Sequence, residues 1–146
     1  MVELERELVI DATNSIAGRL CSKVAKLLLE GYRVVVVNSE RALISGNRKS
    51  VIREWKEYLE VGSVINPKHT PRHPRRPDRI ITEMIRGMVP RYKPKGIKAM
   101  KRLRVYIGTP EAYKGRARVL EEAMARRPPA FYTTIGELAK ELGWKG

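Results

Sequence analysis

The chain has 146 residues, of which 42% are hydrophobic, which is enough for the core of one domain and above the profile of a disordered chain. Its single cysteine, Cys21, excludes an intrachain disulfide and a cysteine-based zinc cluster. There is no run of about 18 apolar residues for a membrane span, and the first residues, MVELEREL, lack a signal-peptide core. We therefore expect a cytoplasmic protein, and its net charge of +14 indicates a polyanionic partner.

Residues 7–38 predict a β-α-β unit. The stretch 7–13, ELVIDAT, is typical of a short buried strand that ends at Asp11. The stretch 32–40 is a nearly continuous β-branched run without polar alternation, which favours a strand covered on both faces, as in a parallel sheet. Two such strands joined by a helix form a right-handed unit in nearly all proteins.

The helix between these strands shows a clear apolar stripe. Apolar residues recur every four positions from Ile16 to Leu28, while basic residues lie outside the stripe. Asn14 or Ser15 is the expected N-cap, and Gly31 is the expected end of the helix.

Shorter elements follow in the rest of the chain. They are a short strand at 41–46, a helix at 47–62, a helix at 78–90, one or two helical turns at 93–102, a strand at 103–108 and a helix from Thr134. The apolar stripe of the helix at 78–90 consists of Ile81, Met84, Ile85 and Met88, and Pro90 is expected to end it. The sequence thus predicts one α/β domain over residues 1–146, with a basic extension at 66–102 inserted between its sheet elements.

The positive charge is concentrated in one segment. Residues 66–104 contain thirteen Lys or Arg and only two Asp or Glu, whereas residues 1–65 contain ten and nine. Four prolines between 67 and 77 exclude a regular helix or a central strand there and hold the chain extended. Every cation from 72 to 91 is an arginine, the residue that grips phosphate with two bonds and stacks on bases. The segment predicts a nucleic-acid-binding surface, and its irregular character favours folded RNA only modestly over DNA.

The candidate RNA-binding residues form four groups. Lys68, Arg72, Arg75, Arg76, Arg79, Arg86 and Arg91 are expected to contact phosphates and grooves. Lys93, Lys95, Lys98, Lys101 and Arg102 form a flanking patch. His69, His73 and Tyr92 are candidates for base stacking. Arg41, Asn47, Arg48 and Lys49 lie at a strand-end turn that is expected to reach the same RNA, although Glu54 and Glu57 follow closely.

Catalytic and metal-binding alternatives have little support in the sequence. The turn after Asp11 offers a helix N-terminus for a nucleotide, but neither glycine-rich phosphate-binding motif occurs. Cys21 lies on the apolar stripe of its helix, where a cysteine behaves as a small hydrophobe. His69 and His73 have no carboxylate nearby to orient them and form a poor metal-ligand set. No catalytic residue, metal or cofactor is predicted, and a nucleotide-dependent enzyme remains the alternative.

Three stretches of the sequence together resemble one family. They are VIDATNSIAGRLCSKVAKLL, VVVVNSERALISGNRKS and RRPDRIITEMIRGMVPRYKPKGIKAMKRLRVYIG. Their Asp-Ala-Thr strand end, Gly-Asn-Arg-Lys turn, Arg-Pro pair and Arg-Gly-Met-Val-Pro helix end are similar to those of the large-subunit ribosomal protein thirteen family. The short turn at 31–33 and the segment NPKHTPRHPRRP, in place of a glycine-rich loop, resemble its archaeal and eukaryotic branch.

The resemblance implies a fold, a partner and a role. It implies a three-layer α/β/α fold with a small, mainly parallel sheet of about four strands. It also implies binding to large-subunit rRNA rather than DNA and contact with neighbouring ribosomal proteins, without a membrane, a small-molecule substrate or a cofactor. Family members are structural and assembly proteins of the cytoplasmic large ribosomal subunit, without enzymatic activity. A free RNA-binding regulator that acts off the ribosome is the other alternative.

Overall fold

A computed structural model describes residues 7–59, 74–90 and 92–145. The strands are β1 (Glu7–Asp11), β2 (Arg33–Val37), β3 (Leu43–Ser45), β4 (Leu103–Val105) and β5 (Tyr132–Thr134). The helices are α1 (Ala17–Leu29), α2 (Arg48–Leu59), α3 (Pro77–Arg86), α4 (Pro94–Lys101) and α5 (Ile135–Glu141). No helix in the described ranges is long and apolar enough to cross a bilayer.

The main sheet has the strand order β1-β2-β4, and both pairings are parallel. This arrangement confirms the α/β class and the β-α-β unit predicted from residues 7–38. The predicted strand at 41–46 exists as β3, but it pairs antiparallel with β5, with Ile44 opposite Thr133. A 3-10 turn at Ser39–Arg41 separates β3 from β2 and leads it to a second, two-stranded sheet. The expected group of about four strands is therefore divided between two sheets in the described chain.

The two faces of the parallel sheet are covered differently. Ile10, Val34 and Val36 point to one face, where they join a core with the buried side chains of α1, α3, α4 and α5. Val9, Val35 and Val37 point to the other face, as the alternation of side chains along a strand requires. Among the described residues, this second face is covered by the segment 106–117, with two tyrosines and a 3-10 turn.

The start of α1 differs from the sequence prediction. Ile16 is the N-cap, and no side chain caps the helix, so the prediction of Asn14 or Ser15 was wrong. The residues before the helix are fixed by other parts of the fold: Ser15 accepts a hydrogen bond from the backbone N–H of Leu43, and the Ile16 N–H donates to Ala123. Asn14 turns the chain in the left-handed conformation, with φ of 59°.

One apolar residue that the sequence predicted on the buried stripe of α3 is exposed instead. Ile80 is fully buried, but Met88, which was expected on the same stripe, is 43% exposed. The helix has Pro77 at its first position, where the missing N–H costs nothing, and ends at Arg86 with Gly87 as its C-cap, four residues before the predicted stop at Pro90. Because Met88 lies in the turn beyond the helix, its side chain no longer follows the helical period.

Candidate nucleic-acid interface

The helix α4 presents a row of lysines to solvent. Its Gly96 and Ala99 are buried in the protein, so the opposite side of the helix is exposed. The exposed lysines, which we call the α4 lysine face, are Lys93, Lys95, Lys98 and Lys101. Within the described ranges, none of the four forms an ion pair with a carboxylate. Their charge is therefore available to an external anion, on a helix whose position is fixed by its buried side.

The predicted arginines of α3 are exposed or half-buried, and two of them form weak ion pairs. Arg76 lies 3.4 Å from Asp78, and Arg86 lies 3.5 Å from Glu83. Exposed pairs of this kind contribute about 0–1 kcal/mol, so exchanging the carboxylate for a phosphate costs little. Arg79 is exposed and forms no ion pair among the described residues.

Two predicted RNA-binding arginines also hold helix ends. Nη1 of Arg75 donates to the backbone oxygen of Leu142 at 3.1 Å, at the C-terminal end of α5. Nη1 of Arg102 donates to the backbone oxygen of Leu28 at 2.6 Å, in the last turn of α1. A cation at this end of a helix is stabilised by the helix dipole. Because a carbonyl oxygen satisfies a donor without cancelling its charge, both arginines stabilise the fold and remain cationic.

The strand-end turn is engaged in contacts within the protein. Arg48 forms ion pairs with Glu141 at 2.9 Å and with Glu137 at 3.9 Å, and thereby joins α2 to α5. Oδ1 of Asn47 accepts the backbone N–H of Ser50 at 2.9 Å and caps the first turn of α2. Lys49 and Arg41 are exposed. The charge of Arg48 is thus largely neutralised by the protein's own carboxylates, unlike that of the α4 lysine face.

Several predicted site residues are not covered by the structure. Lys68, His69, Arg72, His73 and Arg91 lie outside the described residues, and their roles stay predictions. Tyr92 is described and is 86% exposed, an exposure that base stacking requires.

The carboxyl end of the parallel sheet holds a cluster of polar side chains. Oδ1 of Asp11 accepts the backbone N–H of Thr13 at 2.9 Å and its hydroxyl at 2.7 Å. The same oxygen accepts Nδ2 of Asn38 at 3.1 Å, and Oδ1 of Asn38 accepts the hydroxyl of Thr109 at 3.2 Å. These bonds join the ends of β1 and β2 to the segment after β4. Sequence analysis missed this cluster, although polar residues directly after consecutive strands were a signal for it.

The cluster holds the Asp11 carboxyl in its charged form. Burial alone raises the pKa of this carboxyl, but the hydrogen bonds from Thr13 and Asn38 and the charge of Arg41 outweigh burial and bring the pKa below its ordinary value of 3.8. A carboxylate that is fully ionised at neutral pH and occupied by donors from its own chain is a poor general base. The geometry therefore gives the turn after Asp11 a role in holding the fold.

The remaining candidate nucleophile is inactive where it lies. Cys21 is fully buried, and burial raises the pKa of its thiol to about 12. Its Sγ lies 3.9 Å from the backbone oxygen of Ile81. Because the thiolate is the reactive form, this buried thiol is chemically inert at neutral pH. In the part of the chain that the structure describes, no group of three potential metal ligands comes together.

Comparison with known proteins identifies the family. The model of the family "Ribosomal protein L13" matches residues 5–112. The chain belongs to the ribosomal protein L13 family. Similar proteins of this family are the large ribosomal subunit proteins uL13 of Aeropyrum pernix, 45% identical over 97% of this chain and 92% of that protein, and of Methanopyrus kandleri, 44% identical over 99% and 91%. That of Methanocaldococcus jannaschii is 43% identical over 94% and 98%. These archaeal relatives confirm the branch that the sequence resembled.

Proposed function

We propose that the chain is a structural constituent of the large ribosomal subunit and binds large-subunit rRNA through the α4 lysine face and the arginines of α3. The proposal draws its partner from the L13 family, whose archaeal members are named large ribosomal subunit proteins. The observation that carries the binding surface is the row of exposed lysines without carboxylate partners on a helix packed into the core.

This surface suits the chemistry of an RNA backbone. Each lysine that neutralises a phosphate releases a condensed counterion, and this release supplies much of the binding free energy at low salt. The surrounding arginines of α3 can add bidentate contacts to phosphate. Since α4 is fixed by its buried Gly96 and Ala99, little backbone order has to be created on binding. The result is a rigid cationic surface on the fold.

The proposed role is structural and not catalytic. The charged surface lies on α3 and α4, whereas the polar cluster of Asp11 is occupied by its own hydrogen bonds and the thiol of Cys21 is buried. The protein works in the cytoplasm within the large subunit, where neighbouring ribosomal proteins are its further partners.

Salt-dependent binding tests the proposed surface. Affinity for a large-subunit rRNA transcript is measured against salt for the wild type and for Lys95→Gln/Lys98→Gln/Lys101→Gln. If roughly six phosphates are neutralised, the wild-type log–log slope is about −4 to −5, and the triple variant reduces its magnitude by about 2 to 3. The matched control is Lys26→Gln/Lys114→Gln/Lys140→Gln, which removes three exposed lysines from other elements. An equal reduction in both variants would refute the α4 lysine face as the binding surface.

A second measurement separates the ribosomal role from its alternatives. The protein is expected to co-sediment with large subunits after a high-salt wash and to show no thermal stabilisation by millimolar mono- or dinucleotides. A stable particle that lacks the protein would favour a regulator acting off the ribosome. A nucleotide at a hundred times its dissociation constant would add about 2.7 kcal/mol of stability, which would favour the enzyme alternative.

A further inference from the structure

We propose that a loop near the end of the chain forms a further RNA-binding surface, in which two arginines contact phosphates and a neighbouring phenylalanine stacks on an unpaired base. The surface consists of Arg126, Arg127 and Phe131, and we call it the tail surface. All three residues are exposed, and the exposed fraction of Phe131 is 50%. The inference rests on the proposed function and adds a binding surface on a part of the chain other than α3 and α4.

The two arginines of the tail surface carry charge that the protein does not compensate. Within the described ranges, neither Arg126 nor Arg127 forms an ion pair with a carboxylate. The stretch 125–131, ARRPPAF, contains no acidic residue, and Glu122 before it is paired with Lys23 at 2.8 Å. A guanidinium without a carboxylate partner can form two hydrogen bonds with one phosphate. The loop therefore offers two adjacent contacts to an anionic backbone.

An exposed aromatic ring beside these cations distinguishes RNA from a simple anion. Cζ of Arg127 lies 5.8 Å from the centroid of the Phe131 ring, within the range of cation–π contacts. Because a phenylalanine side chain has no polar atom, its exposure to water is unfavourable in the free protein. An unpaired base that stacks on the ring removes it from water, while phosphates of the same strand reach the guanidinium groups. The loop thus matches both parts of a nucleotide.

Both ends of the loop are fixed to the body of the fold. The backbone N–H of Ala125 donates to the backbone oxygen of Asn14 at 2.8 Å, and the N–H of Gly46 donates to the backbone oxygen of Phe131 at 2.8 Å. Two consecutive prolines lie between these anchors and restrict the backbone further. Since the loop is already held in position, little conformational entropy is lost when it meets an RNA strand.

The anchor at Gly46 places the tail surface next to the strand-end turn that the sequence predicted at the RNA. β5 begins directly after Phe131 and pairs with β3, with Tyr132 opposite Ser45. The chain after β3 leads to Lys49, which is exposed and forms no ion pair among the described residues. Strand pairing therefore brings cations from distant parts of the sequence to one side of the small sheet, where one RNA strand can contact them together.

Charge removal tests the phosphate contacts of the tail surface. In the salt titration with the large-subunit rRNA transcript, Arg126→Gln/Arg127→Gln is expected to reduce the magnitude of the slope by about 1.4 to 1.8, the value for two phosphates. The matched control Lys114→Gln/Arg116→Gln removes two cations of the same tail that are already paired with carboxylates at 2.7 Å, and its slope should equal that of the wild type. Thermal unfolding verifies that both variants retain the fold. Equal slopes for the two variants would overturn the inference.

The stacking ring is tested by two substitutions at one position. Phe131→Tyr keeps an aromatic ring and should retain wild-type affinity for the transcript. Phe131→Leu keeps an apolar side chain but should bind at least about fivefold more weakly, the lower limit for a lost base stack. Affinities are measured well below the melting temperature of each variant, so that both proteins are folded. Equal affinities of the two variants would overturn the stacking contact.

The outcomes distinguish the tail surface from the proposed function. A wild-type protein that does not bind rRNA contradicts the proposed function itself. Wild-type binding that depends on the α4 lysine face but not on Arg126 and Arg127 overturns only the tail surface. If Arg126→Gln/Arg127→Gln binds the transcript normally but is incorporated less into large subunits, the partner of this surface is a neighbouring protein, and the RNA site is overturned.

Discussion

The polar side chains at the two ends of the parallel sheet differ in their hydrogen-bond partners. At the carboxyl end, Asp11 and Asn38 bind each other and the threonines beside them. At the amino end, Arg102 and Arg104 donate to backbone carbonyls and keep their charge. In open α/β sheets the carboxyl end is the usual place for a ligand. Here that end is closed by its own hydrogen bonds, and the available charge lies at the other end and on α4.

The comparison shows that the partner of a cation matters more than the count of cations. Arg48 and the α4 lysines are all charged, but within the described ranges only Arg48 of this set has a carboxylate at hydrogen-bond distance, that of Glu141. Two glutamates around one arginine largely compensate its charge, whereas a carbonyl or open solvent leaves the charge of a cation available to RNA. This distinction separates Arg48, whose charge is compensated within the protein, from cations that are available to a partner, including some that also stabilise the fold.

The largest effect on rRNA affinity is expected from reversing charge on the α4 lysine face. Lys95→Glu/Lys98→Glu should weaken rRNA binding about 100-fold at physiological salt, because two phosphate contacts become repulsive. The midpoint of thermal unfolding should stay within about 2 °C of the wild type, since neither lysine has a partner among the described residues. Filter binding and a thermal melt measure the two quantities. A large loss of stability would assign these lysines to the fold instead.

At the carboxyl end of the sheet, substitutions are expected to lower stability and to leave rRNA binding unchanged. Asp11→Ala leaves the donors of Thr13 and Asn38 without an acceptor and should lower the free energy of unfolding by about 1–3 kcal/mol. Asp11→Asn keeps one acceptor oxygen and should cost less. Urea denaturation measures both values, and the salt slope of rRNA binding should be unchanged in both variants. A reduced slope with unchanged stability would place RNA at the carboxyl end.

The Asp11 carboxyl at the same end of the sheet makes the stability of the fold depend on pH. The pKa of Asp11 is lowered in the folded protein, so its contribution to stability is present above the ordinary value of 3.8 and is lost as the pH falls through the lowered pKa. Urea denaturation between pH 7 and about 3 should show this loss in the wild type and a smaller one in Asp11→Asn. Parallel curves for the two proteins would contradict the assignment to Asp11.

The smallest effect on stability and binding is expected from substituting Arg48, whose charge is compensated by two glutamates. Arg48→Gln removes exposed ion pairs with Glu137 and Glu141 and should cost at most about 1 kcal/mol of stability. The salt slope of rRNA binding should not change, because this charge is already compensated. A slope reduced by about one unit would show that RNA displaces the glutamates and would remove the contrast with α4.

The sequence predicted those parts of the fold that depend on local patterns. The stripe from Ile16 to Leu28 and the β-branched run of β2 are visible in the residues themselves, and both elements were found. The pairing of β3 with β5 was missed because its partners are about ninety residues apart and three residues long, which leaves no local period. The N-cap was missed because tertiary hydrogen bonds fix Ser15 and Ile16.

The sequence predicted which basic residues belong to the candidate site, but not which of them form contacts within the protein. Lys98 and Arg102 were both proposed from the charge run, but only the fold shows that Arg102 reaches the end of α1. Likewise, only the fold shows that Arg75 reaches the backbone oxygen of Leu142 at the end of α5. Contacts between residues 60 or more positions apart decide which cations are available, and no motif records them.

The most direct test is a structure of the assembled large subunit that contains this protein. We predict phosphate oxygens within about 3–4 Å of Nζ of Lys95 and Lys98, close to the range of charge-assisted contacts. If those lysines instead face bulk water while RNA lies against Asp11 and Asn38, the account is wrong, because RNA would then bind at the carboxyl end of the sheet and not on the α4 lysine face.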